Sequence, residues 1–208
     1  MASLPGKTVE RLSEYRRTLL ACLAEKRNFI FSHDLAARLH ITAVQVRRDL
    51  MLIGYSSVQR KGYDVKELIE TIGRLLDSDD GMNVAIIGIG NLGRAVAGYF
   101  KGKRSKLNLV ASFDTDPQKI NKGISGVKCY PHNEMEQIIK DQNIRIAIVT
   151  VPPDYAKEIA EELVRLGIKG ILNFTTIPLN VPSWVFLEEY DMITSMEKVA
   201  YFVKENTL

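Results

Sequence analysis

The sequence predicts an α/β chain: a small basic helical unit, then a doubly wound parallel sheet, then a terminal helix. Three observations predict it. An apolar run, Met82 to Ile87, leads into Gly88-Ile89-Gly90-Asn91-Leu92-Gly93 and then into a helical pattern. From there to residue 190, apolar strands alternate with amphipathic helices, as in successive βαβ units. The charge is split as well. Residues 1–63 hold 11 Lys and Arg against 5 Asp and Glu, a net +6, while the remainder holds 17 against 20, a net −3.

Composition sets the broad class. The chain has 208 residues, 46% apolar and 25% charged, which is ordinary globular usage with room for one large or two small domains. No apolar run reaches the roughly 18 residues that a membrane span requires. The opening Met-Ala-Ser-Leu-Pro-Gly-Lys lacks the apolar core of a signal peptide, so a cytoplasmic location without membrane association is expected. Cys22 and Cys129 fit no metal spacing, and they are read as small buried residues. A basic N-terminal third points to a polyanionic partner.

In chain order, Val9 to Glu25 reads as a helix, with Leu12, Tyr15, Leu19, Leu20 and Leu23 at helical spacing. Ser32 is expected to cap a short helix that ends at Leu39. Thr42 with Gln45 three residues on fits a capping box, which starts a helix through about Ile53. Two short helices joined by a tight turn make a helix-turn-helix. Thr42, Gln45, Arg47 and Arg48 lie near the start of its second helix, where side chains reach DNA base edges and phosphates. Residues 54–63 read as a short hairpin, a wing that offers Arg60 and Lys61 to phosphate or minor groove. The unit is thus a winged helix-turn-helix bundle for double-stranded DNA, with a protein-binding bundle as the plainer alternative. Asp64 is expected to cap a linker helix to about Asp77. The polar cluster Ser78-Asp79-Asp80-Gly81 is expected to end the unit, giving domains at 1–80, 81–190 and 191–208.

The second unit starts with the glycine motif. Gly88 permits the tight turn, Gly90 lets a pyrophosphate approach, and Gly93 lets the helix lie close to the strand. The helix start at Asn91 and Leu92 offers unpaired amides to an anion. Leu92, Ala95, Val96 and Tyr99 give this helix its apolar spacing. Leu107 to Phe113 reads as the next strand and ends at Asp114, about twenty residues past Gly93, where a carboxylate takes the adenosine ribose and repels a 2′-phosphate. A dinucleotide of the NAD type, not NADP, follows. A short helix, a strand near Val127, a helix from Asn133 to Lys140, and strands at Ile144 to Val151 and Lys169 to Phe174 complete a Rossmann sheet, with a helix from Asp154 to Leu166 between the last two. Val185 to Tyr190 reads as a final strand. Asp191 precedes a helix to about Glu205 whose apolar stripe, from Ile193 to Val203, needs a partner in its own domain or in a second subunit.

These motifs resemble those of the Rex family of redox-sensing transcriptional repressors over almost the whole chain. Val9 to Leu19 is similar to that family's opening helix, and Thr42 to Leu50 to its recognition helix. Gly88 to Gly93, Phe113-Asp114-Thr115-Asp116-Pro117, Thr150-Val151-Pro152 and Gly167 to Phe174 follow in the family's order. The resemblance implies a homodimer that binds a palindromic operator and releases it when NADH binds. It implies NADH or NAD⁺ on Gly88, Gly90, Asn91, Leu92, Gly93 and Asp114, with Pro152 and Phe174 near the nicotinamide. It implies coupling roles for Arg17, Tyr99 and Asp191, the last opening a helix exchanged between subunits. On spacing alone, Tyr99 is core or helix surface and Asp191 is a helix cap. One departure stands out: the wing, Gly54 to Tyr63, is poorer in glycine than the family's, which implies a different wing turn.

Two other classes remain open at this stage. A small NAD-dependent dehydrogenase would need a proton-transfer group, and His33, His40 and His132 offer little for it. A nucleotide-binding scaffold would use the basic bundle as a protein-binding arm. Specific operator binding separates the repressor from the scaffold, and turnover separates it from the dehydrogenase.

Overall fold

The structure is a computed structural model that describes residues 4–56, 61–100 and 106–205. The chain divides into two compact units at Asp79 and Asp80.

The first unit begins with α1 (Gly6–Ala24), whose buried stripe is Thr8, Leu12, Tyr15, Leu19 and Cys22. Leu23, assigned to that stripe by spacing, is 40% exposed, because Cys22 takes the inward position. β1 (Phe29–Ile30), α2 (Ser32–Leu39), α3 (Ala43–Leu52), β2 (Tyr63–Asp64) and α4 (Val65–Leu76) follow. Ser32 is the first residue of α2, and the cap position belongs to Phe31. The Ser32 hydroxyl instead accepts a hydrogen bond from Arg47 at 3.1 Å. Thr42 caps α3 as expected, its hydroxyl accepting the Gln45 amide at 3.1 Å. Asp64 caps α4 through the Glu67 amide at 2.9 Å. The hairpin expected at 54–63 spans residues 57–60, which lie outside the described residues. After them, β2 pairs antiparallel with β1, Ile30 opposite Tyr63. A two-residue strand at Phe29 is too short for period-two alternation to reveal. Arg60 lies outside the described residues.

The second unit contains β3 (Met82–Ile87), α5 (Asn91–Phe100), β4 (Leu107–Asp114), β5 (Gly123–Ile124), β6 (Val127–Pro131), α6 (Met135–Asp141), β7 (Ile144–Val149), α7 (Ala156–Arg165), β8 (Gly170–Asn173), β9 (Phe186–Glu189) and α8 (Met192–Glu205). The sheet order is β5-β6-β4-β3-β7-β8-β9, parallel except for the edge strand β5. Residues 117–121 form turns where a short helix was expected, and Asn121 is left-handed at φ 59°. Side chains alternate between the two faces along the central strands. Ala85, Ile87, Ala147 and Val149 face a core with α6 and α7, while Val84, Ile86 and Ile148 face another with Ala97 of α5. Both faces are covered, which is why these strands read as unbroken apolar runs. Each of the buried Val and Ile side chains contributes roughly 1.5–3 kcal/mol. The buried positions of α5 are Gly93 and Ala97, not Leu92 and Tyr99, which are 37% and 67% exposed. Gly93 must face the strand, and this rotates the helix relative to its apolar pattern.

β4 and β6 lie on one side of β3, and β7, β8 and β9 on the other. The chain direction of winding therefore reverses at β3 and β7, and the crevice beyond their carboxyl ends is where such sheets bind ligands.

Candidate functional site

The turn between β3 and α5 is built by glycine at two points. Gly88 has φ +88°, and a Cβ there would lie 3.0 Å from the Thr150 carbonyl and Val151. A Cβ on Gly93 would collide with the Gly88 carbonyl oxygen and lie 3.0 Å from Thr150 Oγ1. Thr150 pins the turn by donating its hydroxyl to the Gly88 carbonyl at 2.6 Å, within reach of the Ile87 carbonyl at 3.1 Å. Gly90 differs: a Cβ there meets nothing within 4 Å, so the space above it is open.

That space belongs to a cleft of about 800 Å³ over the carboxyl ends of β3, β4 and β7. Gly88, Gly90, Asn91, Leu92, Asp114 and Pro152 line it. Gly93 is buried behind the turn, and Phe174 is not among the lining residues; its ring packs against Tyr190 at 5.2 Å. Asp114 is tightly tied. Its Oδ2 accepts the Ile89 amide at 3.0 Å and lies 3.0 Å from Lys119 Nζ, and its Oδ1 accepts the Asp116 amide at 2.9 Å. Burial pushes the Asp114 carboxyl up, but the Asp116 amide, Lys119 and the Ile89 amide outweigh it and hold it below the usual carboxylate range. The carboxylate thus locks the glycine turn to the end of β4.

The site fits a dinucleotide by its own chemistry. The open space over Gly90 and the free N-terminus of α5 suit a pyrophosphate, and an ionised carboxylate stands at the end of β4. Spacing did not reveal Lys119, which sits in an irregular turn, or Tyr155, a lining residue 58% exposed after Pro153. Spacing also gave no role to His132. His132 in fact lines the cleft, with Nε2 3.1 Å from Glu162 Oε2. Thr150 gave a signal, the polar break at the end of an apolar strand. Cys22 and Cys129 are both buried free thiols, and burial pushes the Cys129 thiol up.

Thr42, the cap of α3, and Arg47 and Arg48 on it are exposed, and Lys61 lies in an exposed turn. Gln45 is not exposed as expected. It is half-buried, and its side chain does not close the capping box; its Nε2 donates to Asp49 Oδ1 at 3.0 Å. Asp49 is fully buried and also takes Arg11 Nε at 2.6 Å, Arg11 Nη2 at 2.8 Å and the Tyr15 hydroxyl at 2.7 Å. Burial pushes the Asp49 carboxyl up, but Arg11, Tyr15 and Gln45 outweigh it and hold it low. Burial and the Asp49 carboxylate raise the Tyr15 phenol in turn.

Arg17 is exposed on α1 and Tyr99 on α5. Asp191 caps α8, its carboxylate accepting the Ile193 amide at 2.8 Å and the Thr194 hydroxyl at 2.8 Å. No residue of α8 is buried. Among the described residues, no helix is long and apolar enough to cross a membrane.

Comparisons with known proteins cover both units. Residues 79–177 match the family model described as a CoA binding domain, and residues 3–50 match one described as a putative DNA-binding protein N-terminus. The redox-sensing transcriptional repressor Rex of an Exiguobacterium species is 35% identical over 97% of this chain and 92% of its own. The crystal structure of RSP, a Rex-family repressor, in complex with β-NADH matches with TM-score 0.87 at 34% identity, over 100% of this chain and 97% of that one. The RSP complex with β-NAD⁺ and operator DNA matches with TM-score 0.89 at 35% identity, over 100% and 95%. By full-length similarity in sequence and in structure, this chain belongs to the Rex family of redox-sensing transcriptional repressors.

Proposed function

We propose that the protein is an NADH-responsive repressor that binds a palindromic operator as a homodimer and lets go when NADH binds. One observation carries this reading: the chain matches, over its full length, a repressor crystallised with NADH and also with NAD⁺ and operator DNA. It acts by binding and not by turnover, in the cytoplasm.

The residues divide the work. The amides of the Gly88–Gly90 turn and the start of α5 at Asn91 and Leu92 hold the pyrophosphate, with Gly93 keeping the helix close. Asp114 takes the adenosine ribose. Pro152 and Phe174 give the nicotinamide end an apolar setting, in which the charged ring of NAD⁺ is penalised and the neutral ring of NADH is not. Thr42, Gln45, Arg47, Arg48, Arg60 and Lys61 face the operator. Arg17, Tyr99 and Asp191 take part in coupling the two sites.

The terminal helix supports the dimer. Ile193, Met196, Val199 and Val203 are each at least 58% exposed, an apolar stripe that a second copy of the chain covers by exchange of α8. A ligand can switch DNA binding only through different affinity for two dimer states, and the coupling is reciprocal. The test is to titrate NADH by fluorescence with and without saturating operator. Operator weakening NADH by the same factor that NADH weakens operator supports the reading. NADH affinity indifferent to operator contradicts it.

A further inference from the structure

Helix α3 carries apolar side chains on both of its faces. Val46 and Leu50 are buried in the bundle. On the opposite face, Val44 is 48% exposed and Met51 73% exposed. Seven residues make nearly two turns, so these two lie within about 20° of one line along the helix. Arg47 and Arg48 flank that line and are exposed as well. A surface helix ordinarily turns polar residues outward. An apolar line between arginines suits a partner that is anionic and yet presents apolar groups.

A protein surface meets this description poorly. Two side chains cover far less than the roughly 800 Å² per partner of a stable interface, and charged residues are depleted at the centre of such interfaces. Duplex DNA meets it well. Its phosphates attract the arginines. Its major groove is lined by hydrogen-bonding base edges, and the apolar group among them is the C5-methyl of thymine. The residues near the N-terminus of a recognition helix are those that reach base edges. Val44 is the second residue of α3, while Met51 is the last but one, about 10 Å further along.

Building on the DNA-binding reading, we propose that Val44 is a specificity-determining residue that packs on the C5-methyl group of a thymine in each operator half-site. A purine is disfavoured at that place, because Val44 takes water from adenine N6 or guanine O6 and offers no hydrogen bond in return. Cytosine lacks the methyl group and gains nothing from the contact. Val44 therefore reads a base by apolar contact alone, independently of the hydrogen-bonding side chains around it.

The experiment uses the full chain and a palindrome selected from a random library. Each thymine of one half-site is replaced in turn by deoxyuridine, which lacks only the methyl group. At one position the wild type loses about fourfold in affinity, the equivalent of one buried methyl group. Val44→Ala loses less than about twofold there, and Val44→Ile keeps the wild-type loss. Met51→Ala also keeps it, because Met51 shares the line of Val44 but not its place at the start of the helix. Val44 and Met51 are exposed, so all three variants are expected to fold, which their unfolding transitions check. Tolerance of deoxyuridine at every position by the wild type would overturn the proposal. A loss that persists in Val44→Ala would overturn it too, by assigning the methyl contact to another residue. A loss abolished by Met51→Ala would move the contact to the far end of α3 and likewise overturn it. Failure to select any operator would instead overturn the DNA-binding reading on which the inference stands.

Discussion

Lys119 Nζ lies 3.0 Å from Asp114 Oδ2 and 3.6 Å from Asp116 Oδ2, so one cation sits between two carboxylates at the end of β4. The local charge is net negative, and a ribose 2′-phosphate brought there meets repulsion. Asp114→Ser leaves Lys119 beside a single carboxylate. NADH affinity is expected to fall about tenfold, ~1.4 kcal/mol, and NADPH affinity to rise, as read by fluorescence titration. Unchanged preference for NADH over NADPH would remove Asp114 from ribose recognition.

The three glycines of the turn are not equivalent. Gly90→Ala meets open space and leaves the unfolding transition where it is, yet its methyl group projects toward the pyrophosphate and weakens NADH about tenfold. Gly93→Ala drives a methyl group into the Gly88 carbonyl and costs about 1–3 kcal/mol of stability as well. Thermal melts paired with NADH titrations separate the two.

The Arg11–Asp49 pair makes a prediction about pH. The Asp49 carboxyl is held low in the folded chain, so its contribution is complete above its unfolded value of about 3.9 and is lost as the pH falls through the folded value. Asp49→Asn is expected to cost about 1–3 kcal/mol at pH 7, because it leaves the half-buried Arg11 guanidinium facing a neutral amide in place of a carboxylate. Its stability should then fall less than that of the wild type on acidification below about pH 4. Parallel pH curves for the two proteins would show that Asp49 is not the titrating group.

The exposed stripe of α8 predicts its own partner. Met196→Glu with Val199→Glu places charge on residues 65% and 58% exposed in one copy of the chain, so folding of the protomer is spared. Sedimentation should show a monomer, and affinity for a two-half-site operator should collapse toward that for a single half-site. A dimer that survives both substitutions would place the interface elsewhere.

Much of this was legible in the sequence, for definite physical reasons. The Rossmann unit announces itself because its strands are buried on both faces and its turn requires glycine at Gly88 and Gly93. The caps Thr42 and Asp64 were visible because a side-chain oxygen three residues ahead of an amide is a local feature. What depended on distant pairing was not visible. The Phe29–Ile30 strand exists only because Tyr63–Asp64 lies beside it. Gln45 turned inward because Arg11 and Tyr15, thirty or more residues away, hold Asp49 buried beneath it. The rotation of α5 followed from Gly93, whose small size outweighs the apolar pattern of Leu92 and Tyr99.

The central claim is that NADH binding and operator binding exclude one another. It is tested most directly by a mobility-shift titration of the full chain on its selected palindrome, at fixed salt, with no ligand, with NAD⁺ and with NADH. Release by NADH at concentrations where NAD⁺ leaves the complex intact is the predicted result. A complex equally stable under all three conditions would contradict the account.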